Sequence, residues 1–153
     1  MTKFLIITGK QNSGKTTTAG MVYKSLWPHA INVHLTDADG NDLPTDHPLI
    51  ENGKPIDFIA NMKVKGKKVV IVSLGDYPEY LKRQIEIYLN EVVYFVCCLR
   101  TRDRKGSTRR MLYSDYVHYP KEEFWTEFSD DKSQRLEVKR KVVDKIKSTI
   151  MSN

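Results

Sequence analysis

The chain has 153 residues, 40% of them hydrophobic, which is enough for one domain over 1–153 whose core needs neither disulfides nor a metal. No apolar run approaches the roughly 18 residues of a membrane span, and the start, MTKFLIITG, is too short for a signal-peptide core. The two cysteines, Cys97 and Cys98, are adjacent in an apolar run, so reduced thiols in a cytoplasmic protein are expected, with no membrane partner. The net charge of +6 is uneven: RTRDRKGSTRR at 100–110 holds six basic residues against one acid, and KVKGKK at 63–68 holds four more. Such clusters suit nucleotide phosphates, a nucleic acid, or simply a solvated loop.

In chain order, KFLIIT at 3–8 reads as a buried strand ending at glycine. Helical spacing of Ala19, Val22, Tyr23 and Leu26 follows from Lys15, and Pro28 stops it. INVHLT at 31–36 is a second strand, and the acidic, proline-rich stretch over 37–55 is expected to be irregular. Over 56–74, Phe58, Ala60, Met62 and Val64 alternate with polar residues, KGK turns the chain, and VVIVSL returns. That pattern is a β-hairpin whose second strand is central. Leu81, Ile85, Tyr88 and Leu89 mark a helix over 78–90, VVYFVCCL at 92–99 a further strand, and Leu136, Val142, Val143, Ile146 and Ile150 a last helix from about Asp131. The aromatics at 113–128 are expected to pack under that last helix. Alternating strands and helices, several strands apolar on both sides, predict a three-layer α/β fold, the hairpin making a mostly parallel sheet mixed.

The most informative stretch joins the first strand to the first helix. Gly9, Gly14, Lys15 and Thr16 in GKQNSGKTTT satisfy G-x-x-x-x-G-K-[ST] between an apolar strand and an amphipathic helix. Glycines allow the backbone to approach a phosphate closely. Successive N–H groups, from Gly9 through Lys10, Gln11, Asn12, Ser13 and Gly14 to Lys15, Thr16 and Thr17, can then wrap an anion at the positive end of the helix. In this motif Lys15 reaches the β- and γ-phosphates, and the Thr16 hydroxyl is a Mg²⁺ ligand.

With these residues the chain resembles the P-loop NTPase superfamily. The resemblance implies Mg-dependent binding of ATP or GTP and cleavage or transfer of the γ-phosphate. It also implies an Asp after an apolar strand beside the metal, and Asp76 in VVIVSLGD looks like that Walker B position. Asp76 also precedes Pro78 and Glu79, a capping pattern for the following helix. Guanine-specific members carry N/T-K-x-D, whereas the nearest stretch here is TRDR at 101–104, so ATP is favoured.

Three readings of the phosphate's fate stay open. In a small kinase, arginines neutralise the phosphoryl group in flight to a small-molecule acceptor. Arg100, Arg102 and Arg104 resemble the arginine-bearing lid of nucleotide kinases. The loop also resembles the variant P-loop of the plasmid-partition and septum-site ATPases, with Lys10 at the signature-lysine position and Asp37 and Asp39 like their D-x-D; that resemblance implies a dimerising switch and a homodimer. Plain turn chemistry is the alternative for the two aspartates. A nucleic-acid-associated ATPase is permitted by the basic stretches, although no nucleic-acid-binding motif accompanies them.

Overall fold

The computed structural model describes residues 1–10, 13–101, 106–126 and 131–152. In chain order the strands are β1 (Lys3–Gly9), β2 (Ala30–Asp37), β3 (Asp42–Leu43), β4 (Ile50–Glu51), β5 (Lys54–Pro55), β6 (Phe58–Val64), β7 (Lys67–Val72), β8 (Tyr94–Arg100) and β9 (Lys121–Trp125). The α-helices are α1 (Lys15–Leu26), α2 (Pro78–Tyr88), α3 (Thr108–Asp115) and α4 (Lys132–Met151). One sheet runs in the order β3-β2-β6-β7-β8-β1-β9, and β4 pairs with β5 separately. Strands β7, β8, β1 and β9 are parallel, while β6 is antiparallel to both β2 and β7. The molecule is therefore mixed α/β, as the alternating sequence pattern predicts.

The period of two along each strand sends alternate side chains to opposite faces. In β1, Leu5 and Ile7 join one apolar cluster with Ala19, Val22 and Leu26 of α1 and Val142, Ile146 and Ile150 of α4. Phe4 and Ile6 face the other way, with Leu81 and Ile85 of α2 and Leu112 of α3. Each fully buried Leu, Ile or Phe contributes about 1.5–3 kcal/mol. Cys97 and Cys98 split between the two clusters and are free thiols.

Helix ends follow local chemistry. Pro78 opens α2, where its missing N–H costs nothing. The Asp131 carboxylate accepts from the Ser133 N–H at 2.9 Å and caps α4. The cap of α2 is Tyr77 without a side-chain bond, so Asp76 does not play the capping part its spacing suggested.

Three expectations need correction. Residues 37–55 are not wholly irregular, because β3 extends β2 and β4–β5 make a small ladder. α3 and β9 add two elements to the mixed polar–aromatic region: KEEFW is an edge strand carrying three charged residues, and TRRMLYSD buries only Thr108 and Leu112. The described aromatics do not all gather under α4, and Phe128 lies outside the described residues. Tyr116 and Tyr119 pack on Phe4 at ring separations of 6.1 and 6.2 Å on the opposite face, Trp125 is exposed, and Phe124 reaches the α4 side. No helix among the described residues is long and apolar enough to cross a membrane.

Candidate phosphate-binding cleft

The C-terminal ends of β1, β7 and β8 meet at one sheet edge, where α1 begins. Gly14, at the helix start, has φ 83°, a left-handed conformation that glycine adopts without a Cβ penalty. The loop closes on itself through Ser13 N–H to the Lys10 carbonyl at 3.1 Å. Thr126 Oγ1 donates to the Thr8 carbonyl at 3.1 Å, leaving Ser13 Oγ as donor to Thr126 Oγ1 at 3.0 Å. Thr126, the residue after β9, thus holds the inner side of the loop.

The Lys15 ammonium lies back over the loop, donating to the carbonyls of Gly9 at 3.1 Å and Lys10 at 2.8 Å. Among the described residues no carboxylate stands within ion-pair distance of it. Half-buried, it is held below the ordinary lysine range by desolvation, while Cys98 and Asp76 pull the other way. Among the described residues, this desolvated cation bonds to carbonyl dipoles alone.

Opposite lie Asp57, Ser73, Gly75, Asp76, Cys98 and Arg100, enclosing with the loop a cleft of about 280 Å³. Asp57, just before β6, accepts from Ser73 Oγ at 3.1 Å and from Thr16 Oγ1 at 3.5 Å. Burial raises its pKa, the Ser73 and Thr16 hydrogen bonds oppose that, and the Asp76 charge adds to it. Asp76 Oδ1 pairs with Arg100 Nε at 2.9 Å. One strand, β8, separates the loop-bearing β1 from β7, so Arg100 at its end stands between the two walls. A Cβ on Gly75 would collide with the Cys98 carbonyl, so this close approach excludes any other residue. Burial raises the Cys98 thiol to about 12, keeping it protonated and a poor nucleophile.

Of the residues singled out in the sequence, Gly14, Lys15, Thr16, Thr17, Asp76 and Arg100 line one cleft. Gly9 and Lys10 contribute carbonyls to Lys15, and Ser13 is buried behind the loop. Gln11, Asn12, Arg102 and Arg104 lie outside the described residues. Asp37 belongs to its own turn, where it accepts from the N–H groups of Asp39 and Asn41, both at 2.9 Å, and from the Asn41 side chain at 3.1 Å. Those bonds lower its pKa. Sequence reasoning missed Asp57, which no motif marks, and Lys139 of α4, whose side chain covers Gly14. Burial, then the nearby Arg135 charge, lowers the Lys139 pKa. A third omission supports the cleft from behind. Glu123 of β9 receives Arg109 Nη2 at 2.7 Å, Thr8 Oγ1 at 2.7 Å and Tyr113 Oη at 2.8 Å, while Arg109 Nε donates to the Arg100 carbonyl at 2.9 Å.

Comparison with family models, curated proteins and solved structures returned no match. The donor set itself is therefore the argument. The Thr16 hydroxyl and the Asp57 carboxylate, both hard oxygen donors, fit a magnesium ion that takes one or two carboxylates and fills its shell with water and phosphate. The half-buried lysine and the left-handed glycine at a helix start fit the phosphates.

Proposed function

We propose that this chain is a P-loop NTPase of three-layer α/β fold that binds Mg-ATP and transfers the γ-phosphate to a small-molecule acceptor. The observation that carries the reading is the meeting of Lys15 and Thr16 with Asp57 across one cleft, the Thr16 hydroxyl already directed at the carboxylate. Lys15 leaves its two carbonyls to bind the β- and γ-phosphates. Thr16 and Asp57 hold the metal side of the site, and Asp76 orients Arg100 over the transfer path. Magnesium, when bound there, neutralises charge that develops on the phosphate oxygens. Asp57 thus takes the place beside Thr16 that the resemblance implied for Asp76, and Asp76 becomes a positioning residue for the guanidinium. Loss of one such charge-stabilising donor costs roughly 10²–10³-fold in turnover.

The test is ADP release from Mg-ATP with and without a panel of nucleosides, nucleotides and other small alcohols, over a range of protein concentrations. Acceptor-dependent turnover supports a phosphotransferase. Acceptor-independent turnover whose specific rate rises with protein concentration would point to a dimerising switch, and no turnover together with no Mg-ATP binding would sink the reading.

A further inference from the structure

A second cavity, about 340 Å³, runs along α1 beneath the β4–β5 ladder. Its floor is Gly20 and Met21, and its roof and sides are Pro48, Leu49, Ile50 and Pro55. It shares Thr16, Thr17 and Pro55 with the phosphate-binding cleft, so the two spaces adjoin at the start of α1. Lys24 closes the far end, eight residues along the helix, about 12 Å from Thr16 at 1.5 Å per residue. The groove therefore has a polar mouth at the loop, an apolar middle and a cation at its end.

The roof is held in place rather than loosely laid over the helix. Tyr23 Oη donates to the Thr45 carbonyl at 2.6 Å, and Ile56 N–H to the Leu49 carbonyl at 3.0 Å. Leu49 is buried at φ 60°, a conformation a leucine keeps only where its surroundings impose it. Its N–H is satisfied by His47 Nδ1 at 2.8 Å. On the floor, Gly20 leaves space: a Cβ there would meet Leu49 Cδ1 at 3.7 Å, an ordinary contact, so alanine fits and a longer side chain would enter the groove.

We propose that this groove is the acceptor site, taking a small molecule with an apolar body, an oxygen nucleophile at the end facing the P-loop cleft and a negative charge at the end facing Lys24. The assignment rests on the phosphotransferase reading above and adds its substrate class. The apolar walls contact the body of the ligand, the shared residues bring its reactive end to the γ-phosphate position, and Lys24 selects for an anion. A cavity of this size lies at the lower end of small-ligand sites.

The probe is 8-anilinonaphthalene-1-sulfonate, an apolar anion, titrated by fluorescence with and without a saturating nonhydrolysable Mg-ATP analogue. Wild type should bind it saturably, and the analogue should not displace it. Gly20→Leu should weaken the probe at least tenfold and Lys24→Glu at least threefold, each leaving analogue affinity within about twofold, while Gly20→Ala should bind like wild type. Circular dichroism melts establish that each variant is folded, and Lys24→Glu, on an exposed position, carries the test should Gly20→Leu not fold. Competitive displacement by the analogue would show that nucleotide occupies the groove and overturn the assignment. Probe binding that is absent, or indifferent to both Gly20→Leu and Lys24→Glu, overturns it as well. Failure of the analogue to bind wild type at all is a different result: it removes the P-loop reading, and the acceptor assignment falls with it.

Discussion

The two ends of the parallel strands treat buried polar groups in opposite ways. At the N-terminal end, Thr2 is fully buried, and its hydroxyl donates to the Val92 carbonyl at 2.6 Å while accepting from Asn90 N–H at 2.8 Å. The Thr2 hydroxyl thus both donates and accepts within the fold. At the C-terminal end, Lys15 is held below its usual pKa and Asp57 above its own, and both face a cleft. One end uses its polar atoms to close the fold. The other keeps charge partly desolvated, a stability cost that makes sense where a ligand supplies the missing partners.

The sharpest break of this contrast is Lys15→Ala, expected to reduce Mg-ATP affinity at least a hundredfold by calorimetric titration while the thermal midpoint stays unchanged or rises, because a desolvated cation is removed. Asp57→Asn comes next. It should lower Mg-dependent turnover by roughly 10²-fold and, unlike most changes to a half-buried polar group, should stabilise the fold at neutral pH. The sign follows from linkage: the folded Asp57 binds its proton more tightly than the unfolded one, so its wild-type contribution is intact below the unfolded pKa and lost as pH rises through the folded value. The variant's advantage in denaturant midpoint should therefore appear above that window and vanish below it; an advantage independent of pH would contradict the burial argument.

At the opposite end, Thr2→Val should cost about 1–3 kcal/mol of stability, since it strands the Asn90 N–H and the Val92 carbonyl, with no change in nucleotide affinity. A drop in both would mean that the two ends are not independent. The smallest effect belongs to Asp37→Asn. Its hydrogen bonds lower the aspartate's pKa, so the stability it contributes is present above the unfolded pKa and lost as pH falls through the folded value. Turnover should be unaffected, and a large loss would restore Asp37 to the site.

Much of the frame was legible because its signals are local. KFLIIT, VVIV and VVYFVCCL are apolar on both sides as central strands require, and the glycine–lysine–threonine run marks its own strand and helix. β9 and α3 were not, because an edge strand with one buried residue and a short helix with two carry too little periodicity to stand out. Asp76 and Arg100 were both placed at the right edge, yet their pairing depends on β7 and β8 being neighbours, which no short window reveals. Asp57 was out of reach for the same reason. It lies 41 residues from Thr16, in a segment without a motif, and only the antiparallel return of β6 brings it to the start of α1.

The measurement that bears most directly on the central claim is calorimetric titration of wild type and Lys15→Ala with ATP, with and without magnesium. The account predicts saturable, magnesium-dependent binding to wild type that is lost in the variant. Binding of equal strength in both, or none to a folded wild type, would contradict it.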